Sequence, residues 1–223
     1  MRRSTLALTA AWALAAPLAD GLLHAPEPSL RPAAGRLLVA RRDLPDPNFA
    51  ASVVLLIRAD EEGAMGLLIN RPSQIPLSRV FDQLSGARER KDPVFWGGPV
   101  SRGTVFALLR AKDSPPGAQR VLPEVHLIAT RELLEKQVLD GAPAERFRVY
   151  LGYCGWGPGQ LDREMEWGTW HVFRADAGVV FDATPEAVWP RLIQRTELQL
   201  AGWRPGATLP LLRRPREPLW PPR

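Results

Sequence analysis

The chain is short of the residues from which most catalytic and metal-binding motifs are built. Among its 223 residues there is one cysteine, Cys154, and there are three histidines. A single thiol excludes an intrachain disulfide and leaves the redox compartment open. No C-x-x-C or H-E-x-x-H spacing occurs, so no metal site is expected, and no G-x-S-x-G elbow offers an activated serine. Neither G-x-G-x-x-G nor a G-K-S/T ending is present, which leaves nucleotide binding unsupported and implies no cofactor. No apolar run reaches the roughly 20 residues that a membrane span needs.

A basic stripe is missing as well. The isoelectric point is about 10.1 and the formal net charge +5, but the excess sits at the ends. Residues 204–223 hold five arginines against Glu217, and residues 1–36 hold four against Asp20 and Glu27, which leaves residues 37–203 at −1. Surfaces that grip phosphate backbones cluster their basic residues, so the folded body is not expected to bind nucleic acid.

The ends have characters of their own. Arg2-Arg3 precede Leu6–Ala16, an uncharged stretch of signal-peptide length; Pro17 breaks it, and Ala19-Asp20-Gly21 places small residues where a signal peptidase reads. Residues 1–21 therefore read as an export signal, for a periplasmic or extracellular location; a misplaced start or an uncleaved arm is the alternative. Residues 22–34, rich in proline, read as a linker, and the Pro/Arg-rich residues 204–223 as an extended or disordered tail. Residues 35–203 are left as a single domain.

Within that body, Gly35–Ala40, Ser52–Arg58 and Ala64–Asn70 read as strands, the last two as a hairpin turned by Asp60–Gly63 and ended by Pro72. Leu77–Leu84 shows the i, i+3, i+4, i+7 spacing of a short helix, and Arg131–Leu139 is a helix with Thr130 as N-cap. Val94–Trp96, Thr104–Leu109 and Val121–Thr130 are strand-like, with Pro123 demoting the start of the third. Phe147–Tyr153 is a strand leading into a glycine-rich turn and the helix Gln160–Trp167. Trp170–Arg174 and Gly178–Phe181 form a strand pair, and Thr184-Pro185-Glu186 starts a last helix that Pro190 should kink or delay. Irregular alternation with many hairpins predicts an α+β fold rather than a doubly wound parallel sheet.

Five segments give the chain a resemblance. Gly35–Ala40, Asp46-Pro47-Asn48-Phe49 with Ser52–Leu56, Glu62–Pro72 (EGAMGLLINRP), Gly97-Gly98-Pro99-Val100, and Gly152–Leu161 (GYCGWGPGQL) followed by Trp170 stand in order across residues 35–195. Together they resemble the AlgH/YqgE family of small bacterial proteins. The resemblance implies a bent, mainly antiparallel sheet wrapped into a pseudo-barrel with flanking helices, no agreed enzyme activity, and a cytoplasmic location. The family name reflects a suggested role in regulating alginate production, from which the label of transcriptional regulator descends. The chain departs from the pattern at Cys154, where a small residue is usual, at Pro190, and in its two terminal extensions.

Candidate sites cluster in those segments. Arg71, after Asn70 at a strand end, could clamp a carboxylate or phosphate, or could simply cap loop carbonyls or pair with the Asp60–Glu62 turn. Gly97-Gly98 could form an anion-binding nest, although Pro99 has no N–H and a tight turn explains the pair as well. Trp156, with Trp167 and Trp170, reads as a packing anchor more than a stacking platform. Gln160 and Glu164 share a helix face and could line a pocket. Cys154 with His171 is the one conceivable nucleophile–base pair, against which stands the inertness of most buried cysteines. The expectation is a non-enzymatic binding or regulatory module acting on a protein or small-molecule ligand, with Asn70-Arg71, Gly97-Gly98 and the 155–160 turn meeting at its contact surface. A hydrolase or transferase using Cys154 and His171 is the alternative.

Overall fold

The structure is a computed structural model that describes residues 31–201. The signal-like segment, most of the linker and the Pro/Arg-rich tail lie outside the described residues. Ten strands form the sheet: β1 (Arg36–Ala40), β2 (Val53–Asp60), β3 (Gly63–Leu68), β4 (Pro72–Pro76), β5 (Pro93–Trp96), β6 (Val100–Arg110), β7 (Gln119–Leu122), β8 (Val125–Ile128), β9 (Phe147–Trp156) and β10 (Trp170–Arg174). The order is β10-β1-β2-β3-β9-β6-β8-β7, with β4 and β5 attached through a parallel β5–β9 pairing. Every other pairing is antiparallel.

The apolar residues sort onto one continuous inner face and two separate outer ones. Leu37, Val39, Leu55, Leu67, Phe95, Leu108, Leu127 and Tyr150, drawn from strands along the whole sheet, make a single cluster. The opposite face splits into two clusters, one around Leu38, Val54, Leu68, Cys154 and Trp156, the other around Leu77, Leu109, Phe147 and Val149. A flat sheet would have one cluster per face; this one curls around its inner cluster into a half-barrel. Helices α4 (Ala177–Val180) and α5 (Val188–Ala201) close the inner face through Val180, Val188 and Leu192. Helix α3 (Gln160–Glu166) covers the first outer cluster with Leu161 and Met165, while α1 (Leu77–Val80) and α2 (Arg131–Leu139) cover the second. The fold is α+β, as the pattern of hairpins predicts.

Strand β9 holds the two halves together. Its Phe147–Leu151 stretch lies between β6 and β5, and its Cys154–Trp156 end pairs with β3. The change of partner falls at Gly152, whose φ of +71° bends the strand in a conformation costly for any residue with a Cβ. Opposite this bend the chain passes through Gly97, whose N–H donates to the Leu151 carbonyl at 2.8 Å and whose own carbonyl accepts from Leu68 N–H at 2.9 Å. A Cβ on Gly97 would overlap the Gly152 carbonyl oxygen, and one on Gly98 would overlap the Tyr153 backbone. These glycines serve close backbone approach.

Several elements differ from the sequence expectation. The glycine-rich run is strand through Trp156, and the turn is confined to residues 157–159. Residues 178–181 are not strand: Ala177–Val180 is a helical turn capped by the Asp176 carboxylate, which accepts from Val179 N–H at 2.9 Å. The Leu77 helix stops at Val80 and is followed by a 3-10 turn at Ser85–Ala87. Pro123 divides the Val121–Thr130 stretch into the hairpin β7–β8. Thr130 stands at the N-cap of α2 without a side-chain cap bond. Pro190 sits in the first turn of α5, where a missing N–H costs little.

Candidate functional site

The segment between β1 and β2 organises the site. Its backbone is folded by Asp46, whose carbonyl accepts from Phe49 and Ala50 N–H and whose carboxylate accepts from Asn48 N–H at 2.8 Å. Asn70 and Arg71 then hold the loop from outside. The Asn70 side chain accepts from Val53 N–H at 2.8 Å and donates to the Ala51 carbonyl at 3.0 Å, and Arg71 Nη2 donates to the Ala50 carbonyl at 2.7 Å. Asn70 is thus a buried brace, and the carbonyl-capping role is the one Arg71 fills. Ala51 is held at a φ of +53° by this grip.

Two clefts share the loop. The first, about 330 Å³, is lined by Asn48, Leu68, Arg71, Trp96, Gly98, Pro99 and Arg102. Burial pulls the Arg71 guanidinium below its ordinary pKa, with the Asp46 carboxylate among the groups opposing the shift. Arg102 lies over the Trp96 ring at 5.8 Å, and Trp96 is 37% exposed. Neither arginine has a carboxylate within salt-bridge distance among the described residues. Ser101, beside Arg102, has a φ of +47°; it and Ala51 are the non-glycine residues with positive φ among those described.

The second cleft, about 200 Å³, lies over α3 and is lined by Leu44, Pro45, Asp46, Phe49, Trp167, Thr169 and Trp170 with Gln160, Arg163 and Glu164. Glu164 Oε2 accepts from the indole N–H of Trp156 at 2.9 Å and of Trp170 at 2.8 Å, and Oε1 accepts from Gln160 at 3.1 Å. Gln160 also accepts from Gly157 N–H at 3.1 Å, tying the turn to the helix. Phe49 stacks on Trp156 with centroids 6.1 Å apart and meets Trp170 edge-on at 5.5 Å. Trp156 is a packing anchor whose polar edge is spoken for.

The expected contact surface therefore divides. Asn70, Arg71, Gly97 and Gly98 gather around the first cleft, and Trp156, Gln160 and Glu164 around the second, with the 46–51 loop common to both. Gly97-Gly98 is not a free nest, since the Gly97 N–H is already engaged. Asp46, Phe49, Trp96 and Arg102 were not singled out by sequence reasoning. Asp46 and Phe49 stood in the D-P-N-F motif and Trp96 beside Gly97, so position next to a motif was the available signal; Arg102 had none.

The structure does not pair Cys154 with His171. In the order β10-β1-β2-β3-β9 they lie four strand spacings apart, roughly 19 Å along the curled sheet at about 4.8 Å each. They also point to opposite faces: Cys154 belongs to an outer cluster, whereas the neighbours of His171, Trp170 and Val172, take that outer side and leave His171 on the inner one. The thiol donates to the Gly97 carbonyl at 3.4 Å, and burial pushes its pKa well up despite the Arg71 charge and the Leu68 N–H. Such a thiol is a packing residue. Among the described residues no group of three or more His, Cys, Asp or Glu is placed to hold a metal ion.

A family model described as AlgH-like (DUF179) matches residues 37–201. The chain belongs to the AlgH-like family. A UPF0301 protein of Streptomyces avermitilis is 36% identical over 176 residues, covering 75% of this chain and 88% of the relative. One from Xanthomonas campestris pv. campestris is 38% identical over 176 residues, covering 76% and 92%. The solution structure of the AlgH protein from Pseudomonas aeruginosa superposes with a TM-score of 0.62 at 30% identity, over 78% of this chain and 95% of that one. A Corynebacterium diphtheriae protein shares the fold, with a TM-score of 0.64 at 23% identity over 75% and 89%. AlgH-like proteins are of uncertain function, and nothing in these likenesses indicates a hydrolase or transferase. No helix of the described residues is long and apolar enough to cross a membrane.

Proposed function

We propose that this AlgH-like chain is a non-enzymatic binding module with a regulatory role, and that it takes an anionic ligand in the cleft of Arg71 and Arg102. The observation that carries this reading is the pair of guanidinium groups lining one cleft with no acid in salt-bridge reach among the described residues. A carboxylate or phosphate there would gain charge-assisted hydrogen bonds, and a planar group attached to it would have the Trp96 ring beside it. Titration of the full chain with inorganic phosphate, followed by amide and guanidinium NMR shifts, tests the proposal. Saturable shifts at the cleft that weaken about tenfold in both Arg71→Gln and Arg102→Gln support it. Absence of saturation, or indifference to both substitutions, refutes it. The non-enzymatic part falls to reproducible turnover in a hydrolase and transferase screen, or to a Cys154 thiol alkylated as fast as free cysteine.

The chain order proposed with it is an export signal at 1–21, a linker at 22–34, one domain over 35–203 and a tail at 204–223. It puts the mature protein outside the cytoplasm, where a direct transcriptional role has no place. N-terminal sequencing from the native host decides this, and an intact Met1 in the cytosolic fraction overturns it. The body, at −1, is proposed not to engage nucleic acid. Steeply salt-dependent duplex binding by residues 37–203 would reverse that.

A further inference from the structure

The cleft over α3 carries chemistry of the opposite sign. Asp46 is 8% exposed, and its carboxylate accepts one backbone N–H, from Asn48, with no cation in salt-bridge reach among the described residues and only the more distant charge of Arg71 acting on it across the loop. A carboxylate so far withdrawn from water ordinarily has a positive partner, because desolvation of an unpaired charge is expensive. Asp46 lines the cleft together with Phe49, Trp167 and Trp170. Phe49 and Trp170 are set nearly perpendicular, at 80°. The indole N–H of Trp170 is consumed by Glu164, so what this ring offers a ligand is its face and hydrocarbon edge. Trp167, 42% exposed, stands at the rim, held through its backbone N–H to the Arg163 carbonyl while its indole N–H has no partner among the described residues. Against the two carboxylates of the lining stands one guanidinium, Arg163, whose Nη1 reaches back to the Gly159 end of α3.

We propose that this cleft is a binding site for a small molecule bearing an alkylated ammonium group, seated among Phe49, Trp167 and Trp170 with Asp46 as its counter-charge. Aromatic faces attract cations through their quadrupoles, and more strongly when both are shielded from water. An alkylated head suits the site better than a primary ammonium. The latter needs three acceptors, whereas the Glu164 acceptors are already taken by two indoles and an amide. A volume of about 200 Å³ accommodates such a head and a short substituent. The site is distinct from the arginine cleft, although the two share the 46–51 loop and the Asp46 charge is felt by Arg71.

The test is a titration of the full chain with tetramethylammonium chloride and with choline chloride at constant ionic strength, read by tryptophan emission and indole N–H NMR shifts. A neutral isostere of choline, 3,3-dimethyl-1-butanol, runs in parallel. Saturable shifts of Trp167 and Trp170 with both cations, weak or absent with the alcohol, are expected. Asp46→Asn keeps an oxygen to accept from Asn48 and removes the charge, and it should weaken binding by about tenfold. Trp167→Ala, at an exposed position, should weaken it several-fold without altering the circular dichroism spectrum. Primary alkylammonium and guanidinium chlorides should bind more weakly than the alkylated cations. No saturable response to tetramethylammonium overturns the proposal, as does an equal response to the neutral alcohol or undiminished binding in both variants.

Discussion

The aromatic cleft and the arginine cleft are built against the same 46–51 loop, yet their polar groups are answered in different ways. Over α3, one carboxylate collects two indoles and an amide, so Glu164 works as an internal fastener. Beside Trp96, two guanidiniums face a cleft with no acid close enough to pair among the described residues. The difference is possible because Asn70 and Arg71 hold the loop by its backbone, at Ala50, Ala51 and Val53. The side chains of Asp46, Asn48 and Phe49 are thereby left to be divided between the clefts. A single short segment can then present opposite chemistry on its two sides.

The largest effect expected on this arrangement comes from the shared scaffold. Gly97→Val puts a branched side chain where even a Cβ overlaps the Gly152 carbonyl oxygen, and it should cost at least about 4 kcal/mol or abolish folding. Both clefts should be lost together, as read by urea unfolding and soluble yield. Glu164→Ala strands two indole N–H groups and should cost about 2–4 kcal/mol, with tryptophan emission changed and phosphate binding at the arginine cleft retained. Glu164→Gln keeps one acceptor and should cost about half as much. Asn70→Ala leaves the buried Val53 N–H without its acceptor, for about 2 kcal/mol, and should loosen both clefts at once. Binding of phosphate and of tetramethylammonium measured in the same variant checks that coupling. Arg102→Gln, on the exposed rim, should leave the unfolding midpoint within about 0.5 kcal/mol of the parent while phosphate affinity falls. If Glu164→Ala proves as mild as Arg102→Gln, the contrast between a fastened cleft and an open one is wrong.

How much of this could be read beforehand follows the range of the interactions. Strands β1 to β3 and helix α2 were legible because short apolar runs bounded by a turn, the β-branched residues of β2 and helical spacing are local signals. The glycine run misled beyond Tyr153: Gly155 suggests a turn, and only pairing with β3 from another part of the chain carries the strand through Trp156. Gly178–Phe181 has β-branched residues, but the Asp176 cap and burial of Val180 against the inner cluster make it helical. In the site, Arg71 and Gly98 line one cleft, while Trp156, Gln160 and Glu164 are bonded together at the other. That one loop separates the two groups was not legible, because its folding rests on a brace 17 to 21 residues away.

The position of β9 bears on how the chain is made. Strand β3 ends at Leu68 and the strand that pairs with its outer edge spans Phe147–Trp156, while β1 waits for β10 at Trp170–Arg174. As the polypeptide leaves the ribosome, the apolar meander β1-β2-β3 emerges with both margins unpaired, and some eighty residues must follow before one of them is closed. Contacts this distant in sequence fold slowly. For the length of that interval the nascent meander offers two open hydrogen-bonding edges, and its early life depends on something else covering them.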